Sequence, residues 1–363
     1  MAEMADNIIS GIESSRVTST LLGHNHAEIT LVKAWKTKKI PHAWIFSGPR
    51  GIGKATLAWQ FIRLIHAGDQ TDKTQVSLKT NPDNQFVKHI IAGTHPDSQL
   101  VRRSNNARPP YKLRKEISVE DIRSMNKFLR FTPALSDWRT VIIDSADEMN
   151  LNAQNALLKT LEEPPANTVI ILVSHMPSKL LPTIKSRCQN LSIHPLSKEY
   201  LVPIINQSIP NLSENERIIL MRLSNGSPGR ALDLAEGGGV DIYKALIELI
   251  SSLPNINGIK LHKISDSFFG DSGENIFRLF VSLLLWWLAR TIRYVSLNNI
   301  DTAKEIPDDE VQIIKSLTKS GLEPWLNCWD RINKLLYPSE AIYLDRKQIT
   351  LNVFSELAEA TRH

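Results

Sequence analysis

The stretch IFSGPRGIGKATLAW, residues 45–59, runs from an apolar segment through three glycines and a lysine into a second apolar pattern. Gly48-Pro-Arg-Gly51-Ile-Gly53-Lys54 fits GxxxxGK, and its setting is the one that gives the pattern meaning. AWIFS (43–47) predicts a buried strand, and GKATLAWQFIRLIHAG predicts a helix halted by Gly68. In such a turn, glycines let backbone N–H groups face a phosphate. The helix N-terminus adds the positive end of its dipole, and Lys54 reaches the β and γ phosphates. The alternative is a tight strand-to-helix turn with a surface lysine. One position breaks the pattern. Ala55 stands where these loops carry the Ser or Thr hydroxyl that ligates Mg²⁺. Thr56 follows, but about 100° further around the helix, so it is not a direct substitute.

Working outward, the pattern alternates. NHAEITLVKAWKTK (25–38), VEDIRSMNKFLRF (119–131, with Ser118 as cap) and AQNALLKTLEE (153–163, halted by Pro164 and Pro165) predict amphipathic helices. RTVIIDSAD (139–147) and TVIILVS (168–174) predict strands. Strands apolar throughout and separated by helices imply a parallel sheet covered on both faces. Residues 69–84 are polar and loop-like. After Leu196 no such strand recurs. SENERIILMRLSN, GSPGRALDLAEGGG and everything from about 241 onward predict helices, with Gly237–Gly239 as a linker. The expected architecture is an α/β domain over 1–195, a small helical domain over 196–240 and an all-helical domain over 241–363.

The strand ending at Asp144 supplies the second acidic position of a phosphate site, where it would help hold Mg²⁺ through water. A hydrolysing site of this type places a glutamate next, to orient the attacking water. Here that position is Ser145. Asp147 and Glu148 lie two and three residues on, an offset that suits helix N-terminal charge better than catalysis. Two departures in one catalytic unit argue against hydrolysis.

Composition sets the outer limits. The 363 residues suffice for two or three domains, and 42% hydrophobic with 22% charged residues is ordinary for a globular protein. A net charge of +5 is too mild to argue for nucleic-acid binding by itself. Two cysteines, Cys188 and Cys328, allow no disulfide framework and no CxxC zinc pair, which suits a reducing compartment. The N-terminus has early acids and no long apolar core, so no secretory signal is expected. LFVSLLLWWLA (279–289) is about half of the roughly 20 residues a membrane span needs, and predicts a buried helix instead.

NALLKTLEEPP (155–165), LLPTIKSRC (180–188) and GSPGRAL (226–232) together resemble the bacterial DNA polymerase III clamp-loader family, in its motor and delta-prime subunits. HPD (95–97), the Asp-Ser-Ala-Asp end of the acidic strand and GSPGRAL are nearer to delta-prime. The resemblance covers roughly residues 25–235; beyond that only helical character matches. It implies an AAA+ module with a nucleotide-binding domain, a helical lid and a helical collar in a hetero-pentameric ring. The ring partners would be motor (gamma/tau) and delta subunits, acting on a sliding clamp and primed DNA in a bacterial, cytoplasmic replisome. No membrane partner is expected. Polymerase activity would belong to another subunit.

Within that resemblance Arg187 is the expected arginine finger, acting in trans on a neighbour's nucleotide. Its planar fork of donors and fixed charge suit that task; a surface arginine is the alternative. Gly48, Gly51, Gly53, Lys54, Thr56, Asp144, Ser174 and Arg230 are the expected ATP or ADP contacts, functional or vestigial. Ser174 falls near the motor subunits' γ-phosphate sensor and Arg230 at their lid arginine. Mg²⁺ is expected only with nucleotide. Cys188 reads as a packed small residue.

The chain departs from the family where many members carry a four-cysteine zinc module. The corresponding stretch has no cysteine. His89 and His95, with Asp83 and Asp97, make a poor zinc site, so a loop or helical remnant without zinc is expected. The basic cluster at 101–115 (Arg102, Arg103, Arg108, Lys112, Arg114 and Lys115, around Tyr111) can meet DNA backbone phosphates, although a solvated charged loop is commoner. The rival functions are an active AAA+ ATPase, which needs Thr56 or Asp147 to recover the missing roles, and a small-molecule P-loop kinase. The long helical C-terminal part speaks against the kinase.

Overall fold

The computed structural model describes residues 15–18, 21–68, 77–105, 113–270, 273–297, 307–336 and 345–362. Part of the polar 69–84 stretch (69–76), and the middle of the basic cluster with Arg108, Tyr111 and Lys112, lie outside the described residues. The chain divides into two compact units: residues 1–205 with 225–230, and residues 206–224 with 231–363.

The first unit is built on α1 (Asn25–Lys36), β1 (Ala43–Ser47), α2 (Lys54–Ala67), α3 (Gln85–Ala92), β2 (Ser98–Val101), α4 (Val119–Leu129), β3 (Arg139–Asp144), α5 (Leu151–Glu162), β4 (Thr168–Ser174), α6 (Pro182–Lys185), β5 (Gln189–Ser192) and α7 (Lys198–Ser208), the last crossing into the second unit. The strands form one sheet in the order β2-β3-β4-β1-β5, and every pairing is parallel. Parallel neighbours need a crossover between them, and the helices supply it on both faces. Side chains alternate across the sheet as the two-residue period requires. Trp44, Phe46, Val169, Ile171 and Val173 pack with Leu31, Leu57, Phe61 and Ile62 of α1 and α2. Ala43, Ile45, Val141, Ile143, Ile170 and Leu172 pack with Ile122, Met125, Leu157 and Leu161 of α4 and α5. This is the fold of an AAA+ P-loop domain.

Local signals account for the helix ends. Ser118 accepts from the Asp121 N–H while Asp121 accepts from the Ser118 N–H, a reciprocal capping box that starts α4. Asn150 accepts from Ala153 N–H and starts α5 two residues ahead of the expected position. β3 is shorter than expected: it ends at Asp144, and Ala146–Glu148 form a 3₁₀ turn.

The second unit is helical: α8 (Glu214–Ser224), α9 (Pro228–Glu236), which begins in the first unit, α10 (Gly239–Ser251), α11 (Gly258–Asp266), α12 (Gly273–Ser296), α13 (Asp308–Leu317), α14 (Glu323–Leu336) and α15 (Arg346–Arg362). The expected glycine linker is only a two-residue break, because Gly239 already belongs to α10. A Gly238 in the left-handed region (φ +66°) makes that break possible. The apolar window 279–289 lies inside the 24-residue α12, which is long and apolar enough to cross a membrane by length and composition. Its Phe277, Phe280, Leu284, Trp287 and Leu288 are buried in the core of this unit. Among the described residues the same core encloses one carboxylate, Glu310. It accepts from Arg222 Nη1 (2.9 Å), Tyr243 Oη (3.0 Å) and Arg290 Nη1 (3.4 Å), so a buried charge is paired and hydrogen-bonded.

Candidate functional site

In a parallel sheet all strands end on one edge, and ligands meet that edge where the strand order reverses. β1 lies between β4 and β5, with Ser47 opposite Ser174 and Asp144 opposite Val173. The phosphate loop, Asp144 and Ser174 are therefore brought together by register alone.

Gly48 and Gly51 make the loop possible. A Cβ on Gly48 would sit 2.2 Å from the Ile193 carbonyl oxygen, and one on Gly51 (φ +78°) 2.6 Å from Ser227 Oγ. Each loop carbonyl meets a protein donor. Lys54 Nζ donates to the carbonyls of Gly48 (2.7 Å) and Pro49 (2.5 Å). Ser227 Oγ donates to Arg50 O (2.8 Å), Gly229 N–H to Gly51 O (2.9 Å) and the His24 Nε2–H to Ile52 O (2.7 Å). In contrast, the N–H groups of Gly53, Lys54, Ala55 and Thr56 meet no acceptor among the described residues. The loop carbonyls are thus satisfied within the protein, while the amides at the first turn of α2 are left without acceptors.

The charges around it are mutually tuned. Burial draws the Lys54 amine down to about 8, against the pull of Asp144 and Asp147. Burial pushes the Asp144 carboxyl up, offset by Lys54 and Arg50. Ser145 does not face a water-activating role: its Oγ lies 2.8 Å from His175 Nε2. Asp147 accepts the His175 backbone N–H at 2.7 Å, so its carboxylate fastens the end of β4. Burial, then the nearby Lys54 charge, bring His175 down to about 4, and the ring is neutral at pH 7. Two polar atoms here are buried without partners, Ser174 Oγ and His175 Nδ1. Arg230 is half-buried, its backbone nitrogen lies beside Gly51, and its guanidinium meets no acceptor among the described residues.

These observations fit a phosphate better than a metal. Free amides and an orphaned hydroxyl suit phosphate oxygens. For Mg²⁺, Ala55 offers no ligand and the half-buried Thr56 hydroxyl makes no hydrogen bond among the described residues, which leaves Asp144.

Arg187 lies elsewhere. It stands two residues before β5, whose Gln189 pairs with Trp44 at the start of β1. It is therefore at the amino edge of the sheet, one strand length (about 16 Å) from the loop at the carboxyl edge. The side chain is partly exposed and pairs with Glu162 at the end of α5, Nη2 to Oε1, 2.8 Å. Cys188 is partly buried, and burial pushes its thiol up to about 12, as befits a packing residue.

The other singled-out residues are used structurally. Asp97 is fully buried. Burial alone would raise its pKa, but the N–H groups of Ala134 (2.7 Å), Leu135 (2.7 Å) and Ser136 (3.0 Å), with Arg139, hold it low. His95 packs on His66, ring centres 4.3 Å apart, while His89 bonds Thr94 and Asp83 pairs with Lys88. The stretch in place of a zinc module holds α3. In the basic cluster, Arg103 pairs with Glu148 (2.8 Å) and Arg114 donates to Ser118 Oγ (3.2 Å). Three contributors were not foreseen from the sequence: His24, Ser227 and Gly229. GSPGRAL carried the signal for the last two, a glycine and a serine at a helix start.

Fold and loop define an AAA+ P-loop protein. Residues 23–197 match the family model described as DNA polymerase III, delta subunit. Within its class the chain is similar to the delta-prime subunits of DNA polymerase III. It is 34% identical to that of Pseudomonas aeruginosa over 57% of this chain and 59% of the relative. It is 28% identical to that of Bacillus subtilis over 76% of this chain and 78% of the relative. The tau subunit of Bacillus subtilis is 29% identical over 64% of this chain. The chain spans 59% of the length of the first of these relatives and 37% of the tau subunit. The family-model match falls on the parallel-sheet domain.

Proposed function

We propose that this chain is the delta-prime subunit of a bacterial DNA polymerase III clamp loader. It joins motor (gamma/tau) and delta subunits in a hetero-pentamer, works in the cytoplasm, and helps place a sliding clamp on primed DNA. Its own phosphate loop keeps the groups that can hold a nucleotide's phosphates but does not hydrolyse it efficiently. Its contribution to turnover is Arg187, offered to the nucleotide of a neighbouring subunit.

The observation that carries this reading is the separation of Arg187 from the chain's own loop by the length of β1. An exposed guanidinium at the amino edge serves no phosphate on the carboxyl edge of the same sheet. It suits charge on a neighbour, where such groups contribute on the order of 10³–10⁵ in rate. At the loop itself, Ala55 and Ser145 supply neither a metal ligand nor a water-orienting carboxylate. Lys54 holds two carbonyls of its own loop. The amides of Gly53 to Thr56, with Gly48, Gly51, Lys54, Asp144, Ser174 and Arg230, would hold a nucleotide's phosphates if one entered.

The test is magnesium-dependent ATP turnover by the purified chain, alone and mixed with cognate motor and delta subunits. The expected result is background turnover alone and entry into a five-subunit complex on gel filtration. Robust turnover by the chain alone, abolished in Lys54→Ala, would show instead an active AAA+ ATPase.

A further inference from the structure

Arg187 is not a free surface side chain. Its Nη2 meets Glu162 Oε1 at 2.8 Å, and its Nη1 donates to Thr183 O (3.0 Å) and Ser186 Oγ (3.3 Å). The two hydrogen bonds use the N–H groups of Nη1, and Nη2 is ion-paired with Glu162, which leaves Nε–H and Nη2–H groups for an outside acceptor. The two bonds from Nη1 are local, within the turn that carries Arg187. The ion pair with Glu162 crosses to another element and so biases the direction of the fork.

Glu162 is itself well placed for this. It is the last residue of α5, and Glu163, Pro164 and Pro165 follow, so the helix cannot run on. The preceding carbonyl, Leu161 O, is held by His42 Nε2 at 3.1 Å, at the mouth of β1. Leu161 packs in the core with Ile184 of α6, the short helix before Arg187. Carboxylate and guanidinium therefore start from backbones fixed to one core. An anion at a helix C-terminus is disfavoured by the dipole, and the cation of Arg187 offsets that.

We propose that Glu162 is a positioning residue for Arg187: its ion pair pre-orders the guanidinium so that the N–H groups not hydrogen-bonded within the protein face a neighbouring subunit's phosphate. The proposal rests on the reading of Arg187 as a trans-acting group. Ordering before assembly reduces the rotamer entropy lost when the phosphate is met. The pair is partly solvated, so the expected effect is modest, and it is specific to the turnover step.

The experiment compares wild type, Glu162→Gln, Glu162→Asp, Arg187→Ala and the double variant Glu162→Gln/Arg187→Ala. Each is assembled with cognate motor and delta subunits, clamp and primed DNA, and assayed for kcat and KM of ATP turnover. The expected result is that Glu162→Gln lowers kcat about three- to tenfold with KM and pentamer formation unchanged. Glu162→Asp should recover part of the loss, and the double variant should be no slower than Arg187→Ala. If Arg187→Ala lowers kcat while Glu162→Gln matches wild type, the proposal is overturned and the trans reading stands. If the double variant falls below Arg187→Ala by the full single-variant factor, Glu162 acts through something else, and the proposal is again overturned. If Arg187→Ala itself matches wild type, the trans reading fails and takes the proposal with it.

Discussion

At the scale of single residues, the structure rests on polar groups buried among apolar ones. His66 is 3% exposed in α2, with Nδ1 2.7 Å from Ser136 Oγ and Nε2 2.9 Å from Thr140 Oγ1. Burial, then the neighbouring His95, bring its pKa down to about 3 from an ordinary 6.5. Between those values the unfolded chain binds the proton and the folded chain does not. Stability therefore falls as pH drops from 6.5 toward 3. His66→Gln should cost about 1–3 kcal/mol at pH 7, yet show a shallower loss of stability on acidification, as measured by urea midpoints from pH 7 to 4. An equally steep acid arm would refute this role. None of this was legible in the sequence, where His66 is one polar residue in an apolar helix. Its partners come from 70 and 74 positions away. Lys54 and the loop glycines were legible because their chemistry is local. The same holds for Ala55 and Ser145, whose meaning is an absent group at a fixed offset.

At the scale of elements, the sequence was clearest where a strand is buried on both faces. AWIFS and TVIILVS form β1 and β4 at their expected limits. The edge strands β2 and β5 were not foreseen. SQLV and QNLS are four residues each and carry polar side chains, because an edge strand faces solvent. The contact between the phosphate loop and residues 227–230 was also hidden, since it depends on two glycines meeting across the fold. Gly229 N–H reaches Gly51 O only because neither residue carries a side chain there. Gly51→Ala would put a methyl group 2.6 Å from Ser227 Oγ and 2.9 Å from Arg230 N, at a φ of +78°. Such a change should cost about 1–3 kcal/mol and move Arg230 away from the loop. Thermal unfolding checks the first effect. Loss of protection at the Gly229 amide in hydrogen exchange checks the second. Unchanged protection would mean that the loop and the 227–230 segment are not held by this contact.

At the scale of the whole molecule, strand order converts a linear pattern into two separated stations. β1 carries the phosphate loop at its carboxyl end, and β5 beside it carries Arg187 just before its amino end. The sequence shows both motifs but not their separation, because that distance appears only once β5 is seen to pair in parallel with β1. On the function proposed above, the phosphate site on one edge and the arginine on the other would serve different nucleotides, the chain's own and a neighbour's. The most direct measurement is ATP turnover by the assembled pentamer with clamp and primed DNA, comparing wild type with Arg187→Ala. The account predicts a normally assembled complex whose kcat falls about a hundredfold or more for the site it faces. A complex with unchanged turnover would contradict it.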